Sequence, residues 1–298
     1  MYQKTTLVAL SSLMLSAGFA SGRALNPAKR AACDNILTWV PKGDVASGVG
    51  STAASLRFGD IDGDGRVDYL VVDSDGSVTA YRNQAGSSAD EVIWQPLGKI
   101  ASGHGHDGAG VRFADVNGDG RDDYLWISEE GAVTAYLNQA GDSAGGPIWI
   151  PQGEIATGVG ASRGQVVFGD INGDGRADYL VVGETGDLEA WLNMDSAVWL
   201  PQGKVAAGAG SAAGVRIADI DGDGRADYLW LSETGPVTVF INAKGPSGPI
   251  WLPQGEIAAG VGASRDSVVF ADVNGDGRSD YLLVGGAGEV AEWQNDAC

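Results

Sequence analysis

The residues of this sequence best suited to chemistry are acidic side chains at positions 1, 3, 5 and 9 of a short loop. The first copy begins at Asp60 and continues with Asp62, Asp64 and Asp68, and Gly65 stands at position 6. Carboxylate oxygens at this spacing are the ligands that calcium prefers, whereas magnesium prefers a strict octahedron and retained water. The loop therefore predicts a calcium site.

Four further copies keep this pattern, with starts 55, 55, 49 and 53 residues apart. About five calcium ions, one per copy, are therefore expected. The predicted ligands are Asp60, Asp62, Asp64, Asp68, Asp115, Asn117, Asp119, Asp123, Asp170, Asn172, Asp174, Asp178, Asp219, Asp221, Asp223, Asp227, Asp272, Asn274, Asp276 and Asp280. Asparagine at position 3 keeps an amide oxygen, so weaker sites are expected there. A polar turn without metal is the alternative, but it does not require converging carboxylates that repel one another.

The elements that position each loop are predicted to be β-strands. No Glu stands at position 12, as an EF-hand would require, and the residues after position 9 alternate like a strand. In the first unit the strand candidates are Ser55–Gly59, Tyr69–Asp73, Val78–Arg82 and Ile93–Ala101. The fourth belongs to a second repeat, Trp-x-Pro-x-Gly, whose tryptophan we expect to pack between units. A four-stranded unit repeated radially is a propeller blade.

The two repeats are out of phase, so the chain begins with a fourth strand at Trp39 and ends after a third strand. In a closed ring the N-terminal strand pairs with the last blade. The isolated first strand then has a blade, and the last blade has its fourth strand. The fold class is thus predicted as all-β, a five-bladed β-propeller of four-stranded antiparallel blades. This closure would bring Cys33 and Cys298 together, and a disulfide is the default for two cysteines in a secreted chain. An open solenoid is the alternative, but it leaves the terminal edges bare.

The loops, together with preceding residues such as Phe58-Gly59 and Phe168-Gly169, resemble the FG-GAP (VCBS-type, integrin α-like) repeat. The resemblance covers nearly all of the chain from about residue 37. It implies a β-propeller with one calcium ion in a hairpin loop of each blade. Propellers of this family most often have seven blades, so five is a departure. Similar lectins bind amino sugars in pockets between blades.

The N-terminal segment predicts secretion. Residues 1–20 resemble a signal peptide with Lys4 at the charged end, and residues 21–30 read as a short pro-segment that ends at the dibasic pair Lys29-Arg30. The propeller domain would then be residues 31–298. The alternative is an N-terminal core helix, but the apolar run is too short to span a bilayer.

Composition and charge exclude some partners. The chain has 39 acidic and 19 basic residues, a net charge of −20, and this disfavours nucleic acid and anionic membranes. The two histidines, His104 and His106, are interpreted as a solvated polar loop, because Asp107 is the only local third ligand for a transition metal. No catalytic motif stands out, so no catalytic residue is assigned.

Three functions remain open. The favoured hypothesis is a secreted, calcium-stabilised binding module that binds glycans at repeated sites between blades, where several weak contacts would act together. The second is an interaction scaffold for an extracellular protein, or a stand-alone accessory domain of a secreted hydrolase. The third is a glycoside hydrolase, which would need a carboxylic acid and a carboxylate at a set separation.

Overall fold

Twenty strands form five four-stranded antiparallel sheets in the computed structural model, which describes residues 38–86, 91–141, 146–195, 198–245 and 248–296. Each sheet is one blade, so the predicted five-bladed propeller is confirmed. Cys33, Cys298 and the segments predicted as signal peptide and pro-segment lie outside the described residues. None of the helices in the described part of the chain has the length and apolar character needed to span a membrane.

The blades follow one another along the chain with the same strand order. The first consists of β2 (Leu56–Gly59), β3 (Asp68–Val72), β4 (Ser77–Ala85) and β5 (Val92–Ser102). The second and third consist of β6 (Val111–Ala114), β7 (Asp123–Ile127), β8 (Val133–Gln139), β9 (Ile148–Ala156), β10 (Val166–Gly169), β11 (Asp178–Val182), β12 (Leu188–Asp195) and β13 (Val198–Ala206). The fourth and fifth consist of β14 (Val215–Ala218), β15 (Asp227–Leu231), β16 (Val237–Gly245), β17 (Gly248–Ala258), β18 (Val268–Ala271), β19 (Asp280–Val284) and β20 (Glu289–Asn295), with β1 (Trp39–Ser47) completing the fifth.

The ring closes as the sequence predicts. Strand β1 pairs antiparallel with β20, with Trp39 opposite Asn295 and Ser47 opposite Glu289. The fourth strand of the last blade therefore comes from the beginning of the propeller. This pairing covers the edge of β20 that would otherwise be open.

Short first strands surround the axis, and first strands of neighbouring blades contact one another at β2–β6, β10–β14 and β14–β18. A single 3-10 turn precedes each of them, and the acidic loop follows. These turns are Ala53–Ser55, Gly108–Gly110, Arg163–Gln165, Ala212–Gly214 and Arg265–Ser267. Because each first strand runs from its 3-10 turn to its acidic loop, the two features occupy opposite ends of the propeller, here called the helical end and the acidic end.

The hydrophobic core lies between blades rather than inside one sheet. One cluster joins Leu70 and Val78 of the first blade to Val111 and Tyr124 of the second, all with 0% exposure. Four of the five equivalent tyrosines also donate their hydroxyl to a turn glycine of the preceding blade, as Tyr124 does to the carbonyl of Gly76 at 3.0 Å. Burial against the next blade thus makes each blade depend on its neighbours.

The Trp-x-Pro-x-Gly repeat forms the outer strand of each blade. Proline lacks an N–H and suits an edge strand, and the following glycine lies where the register shifts. Gly98, for example, has φ of +76°, which favours glycine. The five tryptophans donate Nε1–H to a carbonyl of the preceding blade, as Trp94 does to Val45 at 2.7 Å. Their predicted packing between blades is confirmed.

Candidate metal centre and blade junctions

Two strands position the ligands of each acidic loop. Position 1 directly follows the first strand, and position 9 begins the second, so both carboxylates are attached to paired backbone. In the first blade, Gly59 pairs with Asp68, and Asp60 is the next residue along the chain. Positions 3 and 5 lie on the turn between them. The hairpin therefore brings residues eight positions apart into one site.

The carboxylate at position 1 holds the loop in its curled shape. Asp60 Oδ1 accepts the N–H of Gly63 at 2.7 Å, and Oδ2 accepts the N–H of Gly65 at 2.8 Å. Both glycines have positive φ, +78° and +86°, which only glycine adopts without strain. The same two bonds recur at Asp115, Asp170, Asp219 and Asp272.

The carboxylate at position 9 is buried and fixed at both oxygens. Asp68 is 1% exposed, and its Oδ2 accepts the N–H of Ile61 at 3.0 Å while Oδ1 accepts the N–H of Asn83 at 2.8 Å. Equivalent bonds are made by Asp123, Asp178, Asp227 and Asp280. This residue therefore joins the loop to the third strand of its own blade.

Position 3 differs between copies. In the first loop, oxygen atoms of Asp60, Asp62 and Asp68 all lie within 4.8 Å of one another, and the fourth loop gathers Asp219, Asp221 and Asp227 in the same way. In the other three loops the position-3 amide donates to the carboxylate at position 5. These bonds join Asn117 to Asp119 at 3.2 Å, Asn172 to Asp174 at 3.0 Å and Asn274 to Asp276 at 3.2 Å.

Position 5 contacts a cation of the protein itself in several loops. Arginine at position 7 forms an ion pair with it, as Arg121 does with Asp119 at 2.7 Å and Arg278 with Asp276 at 2.6 Å. Arg225 contacts Asp223 in the same manner. The two three-carboxylate groups consist of positions 1, 3 and 9. Position 5 lies beside arginine in the second, fourth and fifth loops, and in the first loop Arg82 lies 3.7 Å from the position-3 carboxylate of Asp62.

Burial raises the pKa of the position-9 carboxyl in every loop and of the position-1 carboxyl in the first, second, third and fifth loops. The pKa of Asp60 rises to about 7 and that of Asp68 to about 8, mainly through desolvation and secondarily through neighbouring carboxylates, against backbone hydrogen bonds that lower both. The pKa of Asp227 and that of Asp280 rise to about 7 for the same reason. A divalent cation would relieve this cost by balancing the gathered negative charge.

Five asparagines that the sequence reasoning missed connect neighbouring loops. Asn138 has 0% exposure, and its Nδ2 donates to Asp122 O of its own loop and to Ile61 O of the preceding one, at 3.0 and 2.8 Å. The same bridge is made by Asn83, Asn193, Asn242 and Asn295. A signal was present, because each asparagine follows position 9 by 15 residues.

The amide oxygen of each of these asparagines is buried without a hydrogen-bond partner in the described part of the chain. A buried acceptor without a partner carries a cost, so an ion or an ordered water beside it would be stabilising. The carboxylates gathered within 4.8 Å in the first and fourth loops are hard oxygen donors of the kind calcium takes, so the residues of these two loops fit the predicted cation.

Backbone contacts join the five loops into a closed ring at the acidic end. The position-8 N–H of each loop donates to the position-1 carbonyl of the preceding loop, as Asp122 does to Asp60 at 2.6 Å, and Val67 of the first loop donates to Asp272 of the fifth at 2.9 Å. The other three loops do the same through Ala177, Ala226 and Ser279. Each loop is thus fixed by its neighbour as well as by its own blade.

Asp122 is a further acidic residue that was not predicted as a site residue. It stands at position 8 of the second loop, and its Oδ2 accepts the N–H of Asp60 at 3.0 Å. Burial, with Asp60 and Asp115 nearby, raises the pKa of this carboxyl well above its ordinary value. The contact between the first two loops therefore holds a carboxyl that the other four loop contacts lack.

The histidines do not form the solvated loop that was predicted. The ring of His104 stacks on Tyr136 with centroids 4.0 Å apart, and that of His106 stacks on Trp126 at 4.2 Å. Burial lowers the pKa of both imidazoles. The correction has a simple cause, because the second blade places the rings of Tyr136 and Trp126 opposite this inter-blade loop.

Half-buried aromatic rings occupy the same place in every blade junction. The third strand carries one ring that packs edge-on against the buried tyrosine of the second strand and contacts the core of the preceding blade, as Trp191 does beside Tyr179. The equivalents are Tyr81, Tyr136, Phe240 and Trp293. Each ring lies opposite the proline of the outer strand.

Comparison with known proteins agrees with this architecture. The sequence profile of the family described as FG-GAP-like repeat matches residues 60–126, 115–181, 170–230 and 219–283, so that each match runs from one acidic loop through the next. No curated protein sequence shows significant similarity to this chain.

Solved structures show similar folds at low sequence identity. The Tc holotoxin pore of Photorhabdus luminescens aligns with a TM-score of 0.50 at 20% identity, over 88% of this chain but 14% of that one. An Agrocybe aegerita lectin specific for non-reducing terminal N-acetylglucosamine gives 0.43 at 19% identity, covering 81% of this chain and 63% of that one. A lectin of Burkholderia pseudomallei gives 0.38 at 15%, covering 84% and 68%.

Proposed function

The chain belongs to the FG-GAP-like repeat family, and on that premise we propose that it is a secreted, calcium-stabilised binding module whose ligands are carbohydrates bound at the blade junctions. Calcium would be held by the acidic loops, and the glycan sites would lie between blades. The two parts of this proposal rest on different residues and can be tested separately.

Support for calcium comes from the oxygen atoms gathered at the acidic end. Position-1, position-3 and position-9 carboxylates approach within 4.8 Å in two loops, and all five blades add a buried amide oxygen without a partner. When bound, the ion would supply positive charge where burial raises the pKa of Asp60 and Asp68. Its role in this proposal is structural, since it would fix the ring of loops from which the blades extend.

The observation that carries the ligand class is the half-buried aromatic ring at the same place in every blade junction. Sugar rings have apolar C–H faces that stack on aromatic side chains, while their hydroxyls bind polar groups around them. One face of the Tyr136 ring is already stacked on His104, so the other four junctions would allow weak single contacts to act together on a branched or repeated glycan. Trp191 and Trp293 offer the largest rings of the set.

A glycan array with calcium-loaded protein tests this function. We expect binding that is lost with EDTA, and titration calorimetry with a positive glycan should then count equivalent sites. Trp191→Ala should remove one site, because it removes the ring from one junction only. The matched control is Tyr179→Phe, which removes the buried hydroxyl bond to Gly131 O in the same blade and should leave the number of sites unchanged. A silent array with folded, calcium-loaded protein would contradict a carbohydrate ligand.

Exposed aliphatic side chains on the outer strands favour a protein partner as the second candidate. Val198, Leu200, Ile250 and Leu252 are each 44–59% exposed on the outer strands of two adjacent blades. Large apolar side chains exposed on adjacent outer strands suit protein contacts. The double variant Leu200→Gln/Leu252→Gln should lose a secreted partner that the wild-type protein captures. If capture is equal, this surface is not the contact.

Secretion and ring closure by a disulfide belong to the same proposal. Cleavage after Lys29-Arg30 would leave Ala31 as the first residue, and N-terminal sequencing of the secreted protein should find it. Mass spectrometry of the unreduced protein should show Cys33 linked to Cys298. Two free thiols in the mature chain would contradict that link.

A further inference from the structure

Three arginines occupy one position on the first strands, close to the axis at the helical end. They are Arg57, Arg112 and Arg216, the second residues of β2, β6 and β14, whereas β10 and β18 carry Val167 and Val269 there. All three are largely buried, and burial lowers their pKa. They are notable because the chain as a whole has a net charge of −20.

Each guanidinium folds back on the 3-10 turn before its own strand. Arg57 Nη1 donates to Ala54 O and Leu56 O, both at 2.8 Å, and Arg112 Nη1 donates to Ala109 O and Val111 O at 3.0 and 2.8 Å. Carbonyl oxygens satisfy the N–H groups they contact, but they supply no full negative charge. These bonds fix the conformation of each arginine side chain but do not balance its positive charge.

Arg57 and Arg112 also meet across the junction of the first and second blades. Arg57 Nε donates to Val111 O at 3.3 Å, the same oxygen that accepts from Arg112 Nη1. Two cationic groups are therefore within hydrogen-bonding distance of a single oxygen atom. Their repulsion contributes, after burial, to lowering the pKa of Arg112 to about 10.

No carboxylate balances this pair in the described part of the chain. Arg163, the other cation that lowers the pKa of Arg112, is itself paired with Asp107 by two bonds of 3.0 Å. Nη2 of Arg57 and both Nε and Nη2 of Arg112 make no hydrogen bond to the described residues. The pair thus offers unused donors and unbalanced charge at one place.

We propose that Arg57 and Arg112 together bind a small oxyanion at the inner edge of the junction between the first and second blades. A tetrahedral or carboxylate anion can accept from both guanidinium groups and remove their repulsion. The ligand could be free sulfate or phosphate, or the same group carried by an acidic sugar. This inference does not depend on the proposed glycan function, because an inorganic anion suffices to test it.

Arg216 provides an internal control with nearly the same local bonds. Its Nη1 donates to Ala213 O and Val215 O at 3.0 and 2.9 Å, and its Nη2 donates to Arg265 O at 3.0 Å. The next blade carries Val269 where a second guanidinium would stand. Arg265 also lies near Arg216, but the carboxylate of Asp266 offsets its charge, so a site that requires two unbalanced first-strand arginines should be absent there.

Titration with sodium sulfate, compared with sodium chloride at equal ionic strength, tests the site in calcium-loaded protein. We expect saturable binding and a rise in melting temperature that chloride does not reproduce. Arg57→Gln and Arg112→Gln should each weaken sulfate binding by about tenfold or more, which corresponds to about 1.4 kcal/mol. Arg216→Gln, and Lys99→Gln on the outer strand β5, should change it by less than about twofold.

Three results would overturn the proposal: no sulfate effect beyond ionic strength, unchanged binding after Arg57→Gln and Arg112→Gln, or an equal loss after Arg216→Gln. If the variants do not fold, wild-type crystals soaked in selenate supply a second test. The anomalous peak should lie within hydrogen-bonding distance of both guanidinium groups, and its absence there contradicts the site. A sugar sulfate that binds more tightly than inorganic sulfate, with the same loss in the variants, would identify the anion as part of a glycan.

Discussion

The first and fourth acidic loops have aspartate at position 3, whereas the second, third and fifth have asparagine. Asp62 and Asp221 complete groups of three carboxylates, whereas Asn117 and its two equivalents replace one carboxylate with an amide that donates to position 5. The asparagine loops therefore make one additional internal hydrogen bond and have one less negative charge. The aspartate loops gather more charge and depend more on a cation to hold it.

This difference separates two roles within the repeat. Some residues fix the shape of the hairpin, and position 3 sets the charge of the loop. The carboxylates at positions 1 and 9 accept the same backbone N–H groups in all five copies, so the hairpin shape does not depend on position 3. In the proposed calcium sites, position 3 would instead set how strongly a loop attracts a divalent ion. We expect calcium to bind the aspartate loops more tightly than the asparagine loops.

Removal of calcium should have the largest effect. An ion that binds only the folded state stabilises by about 2.7 kcal/mol per site at a hundredfold excess over Kd. Five sites would then raise the melting temperature by roughly 20 °C or more. Calorimetry during stepwise chelation should show two stages, with the asparagine loops losing calcium first. A melting temperature unchanged by EDTA would contradict both the sites and the comparison.

Loss of the position-9 carboxylate should lower stability about as much as removal of calcium from one loop, and the loss should be similar in aspartate and asparagine loops. Asp178→Ala leaves the N–H groups of Ile171 and Asn193 without acceptors. Two buried donors without partners cost about 3 kcal/mol together. Urea denaturation without calcium should show equal losses for Asp68→Ala and Asp178→Ala. Unequal losses would mean that the classes differ in their scaffold and not only at position 3.

Without calcium, stability should decrease as pH rises. Asp68 has a pKa of about 8 in the folded state against 3.8 ordinarily, so the folded state binds more protons between these values. The stabilisation is complete below pH 3.8 and is lost as pH rises through the folded pKa. In EDTA we expect a free energy of unfolding at least about 2 kcal/mol lower at pH 8 than at pH 5. A flat profile would contradict these pKa shifts, and calcium should reverse the trend because it competes with protons.

Exchanging the residues at position 3 should have a smaller and more selective effect. Asp62→Asn gives the first loop the amide of the second, and Asn172→Asp gives the third loop the third carboxylate. The first change should stabilise the calcium-free protein by about 1 kcal/mol and weaken calcium binding, and the second should do the opposite. Calcium titration of each variant checks both signs. If stability and calcium affinity shift in the same direction in both variants, position 3 does not account for the difference between the two classes of loop.

Much of the architecture follows from repetition in the sequence. The spacing of the acidic loops predicts five blades, and the phase of the tryptophan repeat predicts that the strand at Trp39 completes the fifth blade. Strand boundaries are predicted to within a few residues, since β4 extends to Ala85 where the pattern ended at Arg82. Period and register are local properties, so a single sequence reveals them.

Contacts between blades were not predictable in the same way. Asn138 recurs at a fixed distance from position 9, but its partner, the carbonyl of Ile61, lies in another blade. His104 reads as part of a polar loop until the ring of Tyr136 is placed against it. The pairing of Arg57 with Arg112 likewise arises only when two first strands meet. Such contacts depend on how blades pack, which no local pattern reports.

Native mass spectrometry of the mature protein, titrated with calcium, tests the central claim most directly. We predict that each chain retains five calcium ions, two bound at lower concentration than the other three. In Asp62→Asn, one ion should bind at the lower concentration and four at the higher. A chain that retains no calcium while remaining folded would contradict the account.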